Sequence, residues 1–538
     1  MVRPGVILVS TASAALALAQ GALAQEAPAP LLGPITAWLA GTEVNGRIET
    51  GITANPANPD TGVNFGQLFT DKSNQLVLNQ FDISASRTAD ARIGGFGLGF
   101  DAEGIYGMDS QFTHYLGIGD QGSSGRNSFD LVQLNLDLAA RPSADLAFAV
   151  KAGFFVTPMG FEKLDPTQNF FYSNSYIYNF GLPRKHTGVL TTTSVGPNLD
   201  LYLGYDTGEN TSVGPGGGYN DAQPHVLGGA ALRLHDVTIQ AFTHIGPEDA
   251  PSLLPPGVDA HRATRYENDL FVTWALAPGV STATELNYVR DNGLKAGAGG
   301  AAQYLTVTLS PRLAAGLRAE VWRDAEGAFV AGYPGNLDYL DAEEGAPNGS
   351  FRPGPATYGE LTLGLNIRAP LALTPTDHPI DLPFGQMILR PEIRYDRVLS
   401  GDSGFGATPG SARGQVTLAM DVVVPLSFQH RGGAAPSPDA VAGAPTPAVG
   451  PETARAPAPA MAPNAPVTTA ITTLPGVSAA DVVVTRPRAS QGQAPAWPED
   501  VGLVTAATLA LTNPQTVQDL NGDFPGTTLA QSLSGDLA

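Results

Sequence analysis

The sequence predicts an all-β fold, a transmembrane antiparallel up-and-down β-barrel of about 16 strands followed by a disordered Ala/Pro-rich C-terminal extension. Two observations carry the barrel. Runs of about ten residues with strict apolar/polar alternation recur from Val44 to Phe428. The connections between them are by turns short and long, as expected of a barrel whose two rims are differently exposed.

The first run places Val44, Gly46, Ile48, Thr50 and Ile52 on one face and Asn45, Arg47, Glu49 and Gly51 on the other. The second sets Phe81, Ile83 and Ala85 against Gln80, Asp82 and Ser84. The third sets Phe96, Leu98, Phe100 and Ala102 against Gly97, Gly99, Asp101 and Glu103, and the fourth sets Val132, Leu134, Leu136 and Leu138 against Gln133, Asn135 and Asp137. Further runs fall near 145–156, 186–195, 198–207, 225–234, 236–245, 265–276, 280–290, 302–310, 312–323, 357–368, 386–398 and 414–428. Each is near the length a tilted membrane strand requires.

Connections near 88–93, 140–144, 196–197, 235, 277–279 and 311 are tight, several of them carrying Pro, Gly, Asp or Asn. Those near 55–75, 108–127, 157–185, 208–224, 246–264, 291–301, 324–356 and 399–413 are long. The alternation breaks only at 369–385, which should be short and is not, so the strand count is least secure there. Short turns belong in the periplasm and long loops outside, so an even strand count leaves both chain ends in the periplasm.

A soluble β-sandwich would also show many alternating strands. Aromatic residues at strand ends (Phe81, Tyr106, Phe129, Phe154, Tyr205, Tyr288, Tyr358 and Phe428) favour a membrane, where they form interface girdles. A signal peptide and the absence of cysteine also agree with a membrane barrel. Arg3, the apolar run Val6–Ala19 and Ala22-Leu23-Ala24 read as a signal peptide over 1–24, removed on export. Residues 25–41 form a short periplasmic N-terminal segment, 42–428 the barrel, 429–468 an Ala/Pro-rich linker and 469–538 a periplasmic tail with no recognisable domain. The absence of cysteine excludes disulfides and thiolate chemistry, and the net charge of -21 argues against nucleic acid as a partner.

Several strings resemble the putative β-barrel porin-2 (OmpL-like) family of bacterial outer-membrane proteins. They are Leu317-Arg318-Ala319-Glu320-Val321-Trp322-Arg323-Asp324 with Gly327, Leu361-Thr362-Leu363-Gly364-Leu365-Asn366-Ile367-Arg368, and Arg390-Pro391-Glu392-Ile393-Arg394-Tyr395-Asp396. A looser match runs from Gly153 to Glu162 and on through Ser173–Tyr178, Pro183 and Thr187–Val189. The resemblance covers roughly residues 40–428 and implies a porin-like barrel with no particular solute.

The alternation within those strings places Arg390, Glu392, Arg394 and Asp396 on one face, opposite Met387, Leu389, Pro391, Ile393 and Tyr395. Arg318, Glu320 and Trp322 oppose Leu317, Ala319 and Val321, and Glu360, Thr362, Gly364, Asn366 and Arg368 oppose a leucine/isoleucine face. On neighbouring strands these charges make a ladder on the lumen wall, either setting a transverse field along the path or pairing across strands to stiffen the wall. The expected channel lining is Arg47, Glu49, Asp101, Glu103, Lys151, Arg318, Glu320, Glu360, Arg390, Glu392, Arg394 and Asp396. A local bulge is expected at Pro391, which removes a ladder hydrogen bond.

The connection 157–185 would be the third outer loop, and by analogy with general porins it folds inward as the constriction, offering Glu162, Lys163, Asp165, Arg184 and Lys185 among many aromatic residues. The alternative is a loop packed over the rim. Gly401-Asp402-Ser403-Gly404 mimics a serine-protease nucleophile string without a matching histidine segment, and Asp519, Asn521 and Asp523 mimic the start of a calcium loop whose glycine and glutamate positions hold Phe524 and Ala530. The eight histidines lack zinc-site spacing. No catalytic, cofactor-binding or metal-binding set emerges, and no enzyme is expected.

The predicted function is passive diffusion of small hydrophilic solutes or ions through an outer-membrane porin, in contact with outer-membrane lipid, with net acidity favouring cations. The alternative is a plugged barrel serving as a structural anchor, its tail holding the cell wall or a periplasmic partner. A homotrimer is compatible with a barrel of this width, but no residue pattern specifies it.

Overall fold

A computed structural model describes residues 38–39, 41–115, 118, 127–212, 223–249, 254–330, 354–370 and 386–427, with strand backbones at 482–485 and 501–504. The expected signal peptide, most of the 25–41 segment, the linker, the calcium-like string and nearly all of the tail lie outside the described residues, as do Phe428 and 371–385.

Sixteen antiparallel strands close into one barrel. They are β1 (Glu43–Ala54), β2 (Leu76–Arg87), β3 (Gly95–Gly107), β4 (Ser128–Ser143), β5 (Leu146–Val156), β6 (Lys185–Val195), β7 (Leu199–Asp206) and β8 (His225–Leu234). The second half comprises β9 (Val237–Pro247), β10 (Thr264–Ala277), β11 (Val280–Asp291), β12 (Ala296–Ser310), β13 (Leu313–Asp324), β14 (Ala356–Pro370), β15 (Gln386–Gly401) and β16 (Gly414–Ser427). Each strand pairs with its chain neighbours, and β1 closes the ring on β16 from Asn45↔Ser427 to Ala54↔Leu418. Two short segments, β17 (Val482–Thr485) and β18 (Val501–Val504), pair in a separate two-stranded sheet. Among the described residues no helix is long and apolar enough to cross a membrane.

The alternation is realised as outward apolar and inward polar faces. On β4, Leu134, Leu136 and Leu138 point outward and are 50%, 59% and 55% exposed, which water would penalise and lipid would not. Outward aromatics gather near both rims: Tyr106, Phe129, Tyr205, Tyr266 and Tyr288 toward the long loops, Phe96, Phe148 and Trp274 toward the short turns. Tyr358 departs from the girdle expected of it. It faces inward, buried, and stacks on Tyr176 with ring centroids 5.3 Å apart.

The count of sixteen strands holds across the break at 369–385, because β14 and β15 on either side of it pair directly, from Ala356↔Gly401 to Pro370↔Gln386. Two local expectations are corrected by the pairing. The connection 291–301 is not long. Ala296–Ser310 is strand, and its Ala/Gly-rich start, unreadable as alternation, leaves room inside the barrel: a side chain at Gly300 would meet the Trp322 indole. No residue is inserted at Pro391. The register is the same on either side, Gly364↔Glu392 and Ile367↔Leu389, and Pro391 itself pairs with Met420 of β16. The missing donor is accommodated by a gap in the β14 ladder rather than by a bulge.

The main apolar cluster lies inside the barrel. It joins loop residues Leu68, Phe69, Phe112, Met159, Phe171, Tyr176, Ile177 and Phe180 to inward residues of the wall such as Leu190, Tyr202, Leu227, Phe242, Phe271 and Trp322.

Candidate permeation site inside the barrel

The β5–β6 connection, 157–184, turns inward and crosses the lumen. It carries a short 3-10 turn at Pro166–Gln168, capped by the Asp165 side chain, and a single helical segment, α1 (Tyr176–Phe180), capped by Ser175. Its backbone meets inward side chains of strands on the far side of the ring. Gly160 N donates to Asp269 on β10 at 3.1 Å, and Phe161 N donates to Glu285 on β11 at 2.8 Å. Tyr176 N and Ile177 N donate to Glu320 on β13 at 2.6 and 2.8 Å, so a carboxylate sits at the start of α1 where free N–H groups favour negative charge. Tyr172 N and Ser173 N donate to Glu392 on β15 at 2.9 and 3.1 Å.

The arginines receive the opposite polarity of the same backbone. Arg390 donates to the carbonyls of Pro166, Asn169 and Phe171 at 2.7, 3.0 and 3.1 Å, while its other nitrogens hold Glu49 at 2.7 Å and Asp421. Arg318 donates to the Ser173 carbonyl and to Glu162, each at 2.6 Å, and reaches Glu360 at 3.2 Å. Arg394 donates to the Asn174 carbonyl at 2.6 Å and pairs with Asp396 at 2.8 Å. The wall thus reads the loop as alternating donors and acceptors. Buried charges of this kind are tolerable because nearly every lone pair and N–H has a partner.

Aromatic side chains complete the seal. Tyr172 lies over Gly51 of β1 and Phe170 over Gly316 of β13, and a Cβ on either glycine would overlap the ring. Tyr172 also donates its hydroxyl to Asn79 at 2.8 Å, and the Tyr176 hydroxyl bonds Asp396 at 3.1 Å.

The expected lining residues therefore divide. Glu49, Arg318, Glu320, Glu360, Arg390, Glu392, Arg394 and Asp396 are buried beneath or beside the loop, where they dock it and pair across strands instead of facing an open path. Arg47, Asp101, Glu103 and Lys151 lie elsewhere, on the β1–β5 wall. Lys151 pairs with Asp101 at 2.5 Å and Asp137 at 3.3 Å, with side chains 23%, 27% and 21% exposed. Arg47 bonds Glu103 at 2.8 Å and sits 3.5 Å from Asp165 of the loop. Asp137 was missed as a candidate, although it shares the inward face of β4 with Asn135.

Among the expected constriction residues, Glu162, Arg184 and Lys185 are buried. Arg184 donates to Asn179 O at 2.6 Å within the loop, and Lys185 belongs to β6 and bonds Asp130 at 2.6 Å. Asp165 and Lys163 retain exposure. The Arg47 guanidinium and local hydrogen bonds outweigh burial and hold Asp165 below the usual carboxylate range, whereas burial pushes Lys163 down to about 8. The protease-like string begins at Gly401, the last residue of β15, and continues into the β15–β16 connection, with Ser403 donating to the Ala412 carbonyl at 2.5 Å.

Comparison with curated proteins gives no match. Similar solved structures include the anion-selective porin from Comamonas acidovorans (11% identity, TM-score 0.43, covering 72% of this chain and 98% of that one). The outer-membrane channel DcaP of Acinetobacter baumannii (10%, 0.41, 72% and 97%) and OprB of Pseudomonas putida (11%, 0.45, 73% and 96%) are also similar. Residues 41–426, the whole of the closed barrel, match the family described as "Putative beta-barrel porin-2, OmpL-like", and the chain belongs to that family of porins.

Proposed function

We propose that the barrel passes small hydrophilic solutes or ions across the outer membrane by passive diffusion, with loop 157–184 as its constriction. The observation that carries this reading is the contrast between the two sides of the lumen. The loop docks on β10–β15 over buried wall charges and, through Tyr172, on β1 and β2, while the β3–β5 wall keeps Asp101, Glu103, Asp137 and Lys151 partly open, with the buried Arg47 bridging Glu103 to Asp165. The aperture lies between that wall and the loop. Its carboxylates, Asp101, Glu103, Asp137 and Asp165, outnumber Arg47, Lys151 and Lys163, so the path is weakly cation-preferring. Long loops face outward and the tail extends from the short-turn rim into the periplasm.

Planar-bilayer recording on the refolded full chain tests the proposal. Stable single-channel steps, enlarged on deleting 163–180, and a reversal potential of cationic sign in a salt gradient are expected. Absence of conductance in both proteins rejects diffusion. Steps of equal size with and without 163–180 reject the constriction, and an anionic reversal potential rejects the selectivity.

A further inference from the structure

Away from the aperture, five consecutive strands contribute inward side chains to one buried patch near the long-loop rim: His186 (β6), Asp206 (β7), His225 (β8), His244 (β9) and Glu267 (β10). We propose that His186, Asp206 and His244 hold a divalent transition-metal ion of borderline softness, zinc being the type case. One ring nitrogen from each histidine and a carboxylate oxygen of Asp206 lie within 4.8 Å of one another. His244 Nε2 is 3.0 Å from Asp206 Oδ1, and His186 Nδ1 is 3.4 Å from Asp206 Oδ2. Ligand atoms around a tetrahedral zinc stand about 3.3 Å apart, as bonds near 2.0–2.1 Å require. Small side-chain adjustments therefore seat the ion.

Two independent features point to a ligand. His186 Nδ1 and Asp206 Oδ2 are fully buried and face each other at 3.4 Å, and beyond that loose contact neither has a hydrogen-bond partner. The second nitrogen of each histidine is already fixed: His244 Nδ1 by Glu267 at 2.8 Å, His186 Nε2 by the Thr157 hydroxyl at 3.0 Å. A metal-bound imidazole characteristically has its far nitrogen fixed in this way, which sets the tautomer and ring orientation. His225 stacks on His244 at 4.9 Å and holds Glu248 at 2.8 Å, adding a further carboxylate to the patch. The nearby Arg265 guanidinium is taken up by Asp249, Asp291 and Glu209. The charge and the imidazoles favour a borderline ion over calcium or magnesium, which prefer all-oxygen sites. Bound there, the ion ties β6, β7 and β9 together at the rim, with a fourth position for water.

The test uses refolded, chelator-stripped full chain. Cobalt titration is followed by its visible d–d absorption, and zinc by competition with a chromophoric chelator. One equivalent is expected to bind with tetrahedral cobalt bands. His186→Ala and His244→Ala are expected to weaken binding at least a hundredfold, whereas His261→Ala, on an exposed loop, changes nothing. Glu267→Gln keeps the side-chain volume and serves where a ligand variant fails to refold; a roughly 10–100-fold loss is expected there. No saturable binding by the unaltered chain overturns the proposal, leaving a cluster of proton-held ion pairs. Equal binding by the unaltered chain and both ligand variants, or no loss in Glu267→Gln, overturns it as well.

Discussion

Arg390 and Glu392 stand two residues apart on one inward face and grip opposite polarities of one loop: Arg390 takes the carbonyls of Pro166, Asn169 and Phe171, and Glu392 takes the amides of Tyr172 and Ser173. The alternation of charge along β15 is thus a template for a backbone, held rigid by Asp421 and Glu49 behind the guanidinium.

Replacing Arg390 with methionine strands two buried carboxylates and frees three carbonyls. Breaking a buried pair from one side costs about 3–5 kcal/mol. The loop is expected to detach while the barrel stays closed, giving larger, noisier single-channel currents and new protease cleavage within 163–180. Arg390→Lys is expected to fail as a rescue, since one ammonium cannot span two carboxylates and three carbonyls. Unchanged current and protection in Arg390→Met would show that the aromatic contacts alone hold the loop.

Gly316 on β13 is kept bare by the Phe170 ring above it. Gly316→Val is expected to displace that ring at a cost of about 1–3 kcal/mol, the usual scale of overpacking. Gly228→Val is the control, because a Cβ there meets only the Thr243 methyl at 3.8 Å. Urea titration of loop protection from proteolysis separates the two: the first variant should lose protection at lower urea, the second should not.

Lys163 ties its ammonium to the Gly160 carbonyl at 2.7 Å, near Glu285 and Asp269. Because burial pushes it down to about 8, it is charged below that pH and neutral above. The cation-to-anion permeability ratio should therefore rise between pH 7 and 9, by about four- to sixfold, because losing one charge at about 8 Å through water favours the cation and disfavours the anion by about 0.5 kcal/mol each. In Lys163→Met the ratio should be high and flat over the same range, as read from reversal potentials. A ratio falling with pH would contradict the sign.

The fold was legible because a two-residue period needs only local information: Leu134, Leu136 and Leu138 announce a lipid face without reference to any partner. The same period told that Arg318, Arg390 and Arg394 point inward. It could not tell what they meet, because their partners Ser173, Phe171 and Asn174 lie 145 to 220 residues away in a loop without periodicity. Tyr358 was misassigned for a related reason: girdle aromatics and lumen aromatics at a strand end differ only in parity. The histidine cluster escaped because ligands on separate strands of a barrel share a height, not a spacing. His186, Asp206 and His244 are joined by lateral register, through pairs such as Gly188↔Asp206 and Leu227↔His244.

The two faces of β4 allow a direct test of the membrane assignment itself. Leu136 lies midway along the strand, paired with Phe100 and Ala152, its side chain pointing outward; the adjacent Asp137 points inward to Lys151. Leu136→Arg places a charge on the lipid face near the midplane, where the cost is about 2–4 kcal/mol. Asp137→Asn removes a lumen charge and leaves the lipid face unaltered. Folding into lipid vesicles, followed in urea, should shift strongly for Leu136→Arg and little for Asp137→Asn, while conductance at pH 7 should respond in Asp137→Asn. If instead Leu136→Arg folds as stably as the unaltered chain, the exposed leucine face does not meet lipid, and the outward surface of β4 must be covered by something other than the membrane.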